Sequence, residues 1–129
     1  MHIREAFEDA YEMVKKIEIR KGILHCFAGD RETAEKFINL GFYISFAGNI
    51  TYQNGRWKEV IEKIPLERIV IETDAPYLSP EPLRGKINYP SYIFYTLAKI
   101  AEIRKMDLHQ LAKIIYFNTL EFFCLQNYS

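Results

Sequence analysis

Residues 22–30, GILHCFAGD, decide the fold of this chain, because a short apolar run there carries a histidine and then stops. A second run, RIVIETDAP at residues 68–76, ends in the same way at Asp74. Short and almost wholly apolar runs are typical of strands buried on both faces of a parallel sheet. We therefore expect His25 and Asp74 to lie at the carboxyl ends of two buried strands.

Helical patterns alternate with these runs along the chain. Apolar spacing predicts helices over residues 5–17, 31–40, 57–64, 91–104 and 108–123, and a further strand over residues 42–48. Asp30 and Asp107 stand where they could cap helices, and Gly41 stands where a left-handed residue would end one. Strands that alternate with amphipathic helices predict an α/β fold with a parallel sheet and right-handed crossovers.

Composition narrows the class of protein. The chain has 129 residues, 49% of them hydrophobic, which predicts a single domain over residues 1–129 and excludes a disordered chain. Its formal net charge is zero, so it has no global basic footprint of the kind that nucleic-acid binders carry. The two cysteines, Cys26 and Cys124, read as reduced thiols. With neither a signal peptide nor a membrane-length apolar run, we expect a cytoplasmic protein with no membrane partner.

Three predicted strands are few for a parallel sheet. Such a sheet has two open edges and an uncovered apolar face, which favours association. The sequence therefore reads as part of a larger sheet, and we expect the chain to associate with another copy or another polypeptide.

Three side chains could gather at one rim of that sheet. In α/β barrels the chemistry lies at the carboxyl ends of the strands, where His25 and Asp74 are expected and where His2 would end a preceding strand. Together they form a nitrogen and oxygen set that zinc, manganese and related divalent ions accept. Taken singly, His25 could be a structural histidine, Asp74 a capping or loop-ordering carboxylate, and His2 an unordered terminal residue.

Two neighbours of these residues carry further expectations. Glu72 should point the same way as Asp74 along the strand, either to orient a ligand histidine or to form a buried ion pair. Cys26 should point away from His25 and belong to the core.

The loop EPLRGKINYP, residues 81–90, is a second candidate for chemistry. Arg84 and Lys86 flank Gly85, and a guanidinium, an ammonium and an accessible backbone suit a phosphate group. The alternative is that both cations are simply solvated.

Taken in order, the motifs of this chain resemble the TatD family of metal-dependent deoxyribonucleases. The resemblance rests on HIREAFEDAYEMVKK (2–16), GILHCFAGD (22–30), GFYISFAGNITY (41–52), IVIETDAPYLSP (69–80), PLRGKINYPSYI (82–93) and FNTLEFF (117–123). It implies a TIM-barrel hydrolase of the amidohydrolase type that cleaves the phosphodiester bonds of DNA with divalent metal ions, Mg, Mn or Zn.

The resemblance also assigns roles residue by residue. It implies that His2, His25 and Asp74 are metal ligands ending the fifth, sixth and eighth barrel strands, with residues 42–48 as the seventh strand. His25 and Asp74 would be catalytic, and Asp74 would also accept the proton of the attacking water. Arg84, Gly85 and Asn88 would match the loop after the eighth strand, at the mouth of the site, and with the cations of that loop this leads us to expect Arg84, Lys86 and Asn88 to bind substrate phosphate.

The chain also departs from the family pattern. It lacks the paired His-x-His or His-x-Asp motif and the bridging glutamate of the family's earlier strands, because its 3 histidines are His2, His25 and His109. We therefore expect a half-barrel made of the last βα units, incomplete as a single chain, that forms a homo-oligomer or pairs with an amino-terminal half-barrel. The alternatives are an inactive, self-associating remnant with a vestigial metal site, and a hydrolase of esters or amides.

Overall fold

Helices and strands alternate through residues 1, 3, 6–53 and 55–125, which are the residues that the structure, a computed structural model, describes. The strands are β1 (Gly22–Leu24), β2 (Phe42–Phe46) and β3 (Ile69–Ile71). The helices are α1 (Phe7–Lys16), α2 (Arg31–Asn39), α3 (Trp57–Lys63), α4 (Ile93–Arg104) and α5 (Leu108–Phe123). Short 3₁₀ helices occupy Gly48–Thr51, Leu66–Arg68 and Pro90–Tyr92.

The three strands form one parallel sheet in the order β1-β2-β3, as the sequence predicts. Tyr43 of β2 lies opposite Ile23, and Ser45 lies opposite Val70. The backbone of Met1 runs beside the outer edge of β1, where its amino group donates to the Ile23 carbonyl at 2.6 Å and its carbonyl accepts from the His25 N–H at 2.8 Å. Bonds to residues on either side of Leu24 are the pattern of a parallel ladder.

One face of the sheet, which we call the helix-covered face, is apolar and packs against the helices. Its strand side chains are at most 2% exposed; they are Leu24, Phe42, Ile44, Phe46 and Ile69. Buried helix residues complete this core, among them Phe37, Ile61, Ile100 and Leu111. Since side chains alternate along a strand, Tyr43, Ser45 and Val70 point to the opposite face, which we call the second face.

The predicted helix ends are confirmed at three positions. The Asp30 carboxylate accepts from the Thr33 N–H at 2.9 Å at the start of α2, and the Asp107 carboxylate accepts from the Gln110 N–H at 3.0 Å at the start of α5. Gly41 follows α2 with φ +94°, and a Cβ there would lie 2.2 Å from the Arg20 carbonyl oxygen. Only glycine fits such a position, because it is both left-handed and crowded by backbone.

All three strands are shorter than the apolar runs suggest. β2 ends at Phe46, before the 3₁₀ helix Gly48–Thr51, although the sequence predicts a strand over residues 42–48. β1 ends at Leu24, because Cys26 has φ +47° and turns the chain out of the extended conformation. β3 ends at Ile71, shortly before Asp74, which has φ +56°. α4 also begins later than predicted, at Ile93, after the 3₁₀ turn Pro90–Tyr92. Among the described residues, no helix is both long enough and apolar enough to cross a membrane.

Candidate metal centre

Three side chains converge beyond the carboxyl ends of β1 and β3. His25 Nδ1 lies 2.7 Å from Glu72 Oε1, and His25 Nε2 lies 3.5 Å from Asp74 Oδ1. One donor atom from each of His25, Glu72 and Asp74 can be chosen so that all three atoms lie within 4.8 Å of one another. The structure thus brings His25 and Asp74 to one rim, and it adds Glu72 to the same cluster.

Left-handed backbone conformations at two residues bend the chain around this cluster. Cys26, directly after His25, has φ +47°, and Asp74 has φ +56°. Aspartate tolerates this conformation better than most residues, because its short polar side chain can bond locally. The Asp74 carbonyl accepts from the Tyr77 N–H at 2.9 Å, so the residue opens a turn after β3 instead of capping a helix.

Glu72 is the most firmly held member of the cluster. Its side chain is 18% exposed, against 38% for His25 and 34% for Asp74. Its Oε2 atom accepts from the Ser45 hydroxyl and, at 3.4 Å, from the Cys26 N–H. Its other oxygen, Oε1, lies against His25 Nδ1. Through this one contact Glu72 can both orient the imidazole and form an ion pair with it.

Ser45 is a member of this network that the sequence reasoning missed. It is 2% exposed in the middle strand, on the second face of the sheet. The signal was present in the strand FYISF, where one small polar residue, Ser45, interrupts an otherwise aromatic and aliphatic run. A polar group buried at such a place needs a hydrogen-bond partner, and here the partner is Glu72.

The prediction that Cys26 belongs to the core is wrong, because its side chain is only half-buried. Its left-handed backbone breaks the alternation of the strand, so the thiol is half-buried beside the cluster and accepts from Asn49 Nδ2 at 3.8 Å. Burial, followed by the negative charges of Glu72 and Asp74, raises the pKa of the Cys26 thiol to about 11. The thiol is therefore protonated at neutral pH.

The donor set fits a divalent cation. An imidazole nitrogen and carboxylate oxygens suit zinc, manganese and related ions, and a single cation can reach donors that lie this close together. His25 Nε2 and Asp74 Oδ1 lie 3.5 Å apart, so one cation could contact both atoms. The role of His25 and Asp74 as ligands stays a prediction, and His2, the third predicted ligand, lies outside the described residues.

The predicted phosphate loop divides into exposed cations and a buried amide. The Arg84 side chain is 59% exposed, lies 4.0 Å from Glu81 and stacks with its guanidinium 4.1 Å from the centre of the Tyr52 ring. Lys86 is also exposed. Both cations are therefore accessible to an anion.

Asn88 is placed differently from the prediction. It is 3% exposed, and its amide nitrogen donates to the Thr73 carbonyl at 2.7 Å and to the Tyr77 carbonyl at 2.6 Å. Its amide hydrogens are thus committed to the loop on either side of Asp74. This position makes Asn88 a brace for the turn that carries Asp74 and does not offer its amide to phosphate.

The cluster borders a small cavity. It has a volume of about 300 Å³, and its lining includes His25, Ser45 and Glu72. A larger groove of about 790 Å³ is lined by none of the three cluster residues. Asn49 links that groove to the cluster, because it lines the groove and also contacts the Cys26 thiol.

A family model described as "TatD related DNase" matches residues 1–124 of this chain. The chain belongs to the TatD family. This TatD chain is 41% identical over 126 residues to the uncharacterized metal-dependent hydrolase YabD of Bacillus subtilis, covering 95% of the chain and 49% of YabD. It is 38% identical over 117 residues to the uncharacterized metal-dependent hydrolase YcfH of Escherichia coli, covering 88% of the chain and 44% of YcfH.

Solved structures give the same result for the fold of this TatD chain. The crystal structure of YJJV, a TatD homolog from Escherichia coli, is similar with a TM-score of 0.86 and 30% identity, over 92% of this chain and 47% of YJJV. A TatD family hydrolase from Entamoeba histolytica is similar with a TM-score of 0.82 and 26% identity, over 94% of this chain and 48% of that protein. The chain spans about half the length of these relatives. Since they are TIM barrels, the predicted partial TIM barrel is confirmed.

Proposed function

We propose that this chain forms the metal-binding half of a TatD-type hydrolase that cleaves the phosphodiester bonds of DNA with a metal-activated water. The observation that carries the proposal is the convergence of His25, Glu72 and Asp74, whose donor atoms lie within 4.8 Å of one another. Membership of the TatD family and the metal-dependent hydrolase names of YabD and YcfH support the same reaction class.

The side chains of the cluster would have different roles in hydrolysis. His25 and Asp74 would hold the cation, with His2 as a further ligand. A divalent cation bound there supplies a lowered pKa for a coordinated water and polarises a phosphoryl oxygen. Hydrolysis adds the water oxygen to phosphorus and breaks one P–O ester bond, so the water loses a proton and the departing substrate oxygen takes one up to leave as an alcohol. The Asp74 carboxylate would accept the proton that the water loses, and Glu72 would hold the imidazole of His25 in place.

A phosphodiester substrate is favoured over an ester or amide by the surroundings of the cluster. Arg84 and Lys86 are exposed cations on the loop that Asn88 ties to the turn of Asp74. A guanidinium and an ammonium are the groups that proteins use to bind phosphate. A cavity of about 300 Å³ that His25 and Glu72 line leaves room for a substrate group at the cluster.

We also propose that the chain works in an assembly, as a homo-oligomer or with a complementing amino-terminal half-barrel. The parallel sheet has 3 strands, and the chain covers less than half of YcfH, whose match spans 44% of its length. Met1 pairs with the outer edge of β1, so among the described strands the open edge is that of β3, and an open strand edge accepts a further strand.

Metal binding by the purified chain tests the proposal. Calorimetric titration with Mn²⁺ or Zn²⁺ should give a stoichiometric site, and His25→Ala should weaken the affinity by about 100-fold or more, because a ligand is lost outright. His109→Ala is the matched control, since His109 is exposed on α5 and should leave binding unchanged. Cleavage of a labelled DNA oligonucleotide is measured in parallel, with and without the ion, and light scattering gives the oligomeric state.

Each result has a definite meaning. Metal-dependent cleavage of DNA that His25→Ala abolishes supports the enzyme. Metal-free oligomers that cleave nothing with any divalent ion support the inactive remnant and overturn the proposal. Cleavage of a carboxylic ester or an amide, with DNA left intact, overturns the choice of substrate.

A further inference from the structure

A chain of polar contacts runs from the middle strand of the sheet to the imidazole of His25. Ser45, in β2, donates its hydroxyl to Glu72 Oε2, and Glu72 Oε1 lies 2.7 Å from His25 Nδ1. Ser45 is 2% exposed, so its hydroxyl is sheltered from competition by water. The two oxygens of Glu72 thus serve two different partners.

Ser45 is itself fixed at both ends. Its carbonyl accepts from the Phe27 N–H at 2.9 Å, which ties β2 to the turn that follows His25. Its hydroxyl holds Glu72 from the other side. The remaining contact at Glu72 Oε2, the Cys26 N–H, is long at 3.4 Å and would hold the carboxylate less firmly.

Glu72 Oε1 is buried and lies 2.7 Å from His25 Nδ1, its ion-pair partner. An ionised carboxylate only accepts hydrogen bonds, so a hydrogen bond formed across this contact takes its hydrogen from the imidazole. A neutral imidazole carries one N–H, so its Nε2 then bears a lone pair. That atom lies 3.5 Å from Asp74 Oδ1, on the side where the metal ligands meet.

We propose that Ser45 is a positioning residue for the metal centre: its hydroxyl fixes Glu72 so that His25 keeps its proton on Nδ1 and presents Nε2 as the ligand atom. The value of this arrangement for metal binding rests on the proposed function, but the contacts among Ser45, Glu72 and His25 are present without a bound metal. The competing explanation is that the Ser45 hydroxyl only contributes to folding stability, as any satisfied buried hydroxyl does.

Nitrogen-15 NMR of the imidazole separates these explanations. The spectrum is recorded without metal, at a pH where titration shows His25 to be neutral. In the wild-type chain the proton should lie on Nδ1. In Ser45→Ala the signals should shift toward a mixture of the two tautomers, because Glu72 can then rotate away. Ser45→Thr keeps a hydroxyl and should restore the wild-type spectrum.

Ser79→Ala is the matched control for the loss of a buried hydroxyl. Ser79 is 4% exposed and donates to the Lys86 carbonyl, and neither residue contacts Glu72. This variant should lose comparable stability and leave the His25 tautomer unchanged. A wild-type His25 with its proton on Nε2 would overturn the inference without any variant, even if Ser45→Ala does not fold. A folded Ser45→Ala with the wild-type spectrum would also overturn it.

Metal affinity gives a second readout. Ser45→Ala should weaken Zn²⁺ or Mn²⁺ binding by about 10- to 100-fold, the usual effect of removing an outer hydrogen-bond partner of a ligand. If the wild-type chain binds no metal, the proposed function fails while the tautomer experiment still decides the role of Ser45. If it binds metal and Ser45→Ala binds it equally well, the positioning role fails and the proposed function stands.

Discussion

On the helix-covered face of the sheet, Leu24, Ile44 and Phe46 are at most 1% exposed and pack into the core beneath the helices. On the second face, Ser45 is equally buried, yet its hydroxyl contacts a carboxylate that leads to the solvent-accessible His25. The same strands supply both faces, because successive side chains point in opposite directions.

Residues that are equally buried on the two faces therefore serve different purposes. Apolar burial on the helix-covered face stabilises the fold and needs no directional partner. Polar burial on the second face is favourable only when each group has its partner. Substitutions on the helix-covered face should therefore lower folding stability, whereas substitutions near Ser45 on the second face should also weaken metal binding.

The largest expected effect comes from the helix-covered face. Phe46→Ala should lower the free energy of unfolding by about 3–5 kcal/mol, because Phe46 is fully buried and its loss leaves a cavity. Ser45→Ala, on the neighbouring residue but the opposite face, should cost about 1 kcal/mol. Urea unfolding followed by circular dichroism measures both losses. Equal losses would contradict the distinction between apolar burial on the helix-covered face and the buried hydroxyl of Ser45 on the second face.

Two buried asparagines give a sharper test, because each bridges two carbonyl groups. Asn88 donates to the carbonyls of Thr73 and Tyr77, on either side of Asp74. Asn118 of α5 donates to the carbonyls of Leu66, just before β3, and Ile69, within β3, each at 2.7 Å. Replacing either by alanine should cost about 1–3 kcal/mol in stability, since carbonyls are left unpaired. Only Asn88→Ala should also weaken Mn²⁺ binding.

Calorimetry on the two folded asparagine variants measures that difference. Asn118→Ala serves as the control, because it also removes two amide-to-carbonyl hydrogen bonds, but these lie before and at the start of β3 and not at the turn of Asp74. Unchanged affinity in Asn88→Ala, or an equal loss in both, would show that the turn of Asp74 needs no brace.

The smallest expected effect lies outside both faces, at the cap of α2. The Thr33 side chain, followed by the Thr33 N–H, lowers the pKa of Asp30 below its usual 3.8. The stabilisation by the ionised carboxylate is therefore complete above pH 3.8 and is lost as the pH falls through the lower folded-state pKa. Asp30→Asn keeps a capping oxygen but cannot ionise, so its stability should show a weaker acid dependence.

Unfolding of wild type and Asp30→Asn between neutral and strongly acidic pH checks this. Asp30→Ala, which removes the cap itself, should cost about 1 kcal/mol at pH 7 and serves as the reference. Identical acid dependence in wild type and Asp30→Asn would contradict a role for the ionised cap.

Local patterns in the sequence predicted most of the fold. The apolar runs located all three described strands, and helical spacing with Asp107 located α5 at residues 108–123. Gly41 was predictable because a helix that ends against backbone needs a residue without a side chain. These features depend on neighbours within a few residues, which a sequence displays directly.

Errors arose where the backbone leaves the regular strand conformation. Alternation predicted a core position for Cys26, but its positive φ turns the thiol toward Asn49 and the cluster. The family motif predicted a phosphate contact for Asn88, whereas its amide bonds to carbonyls 11 and 15 residues away. Left-handed turns and long-range hydrogen bonds leave little trace in residue spacing.

By itself, the sequence determined the parallel α/β architecture and the placing of His25 and Asp74 at strand ends, because strand and helix periodicities are local properties of the chain. The connection of Ser45, Glu72 and His25 into one network depends on the tertiary structure, since Ser45 lies within β2 whereas His25 and Glu72 directly follow β1 and β3, and pairing across the sheet sets the register of these strands. Hydrogen bonds require atoms within about 3 Å, and only the folded chain sets distances that short between residues so far apart in sequence.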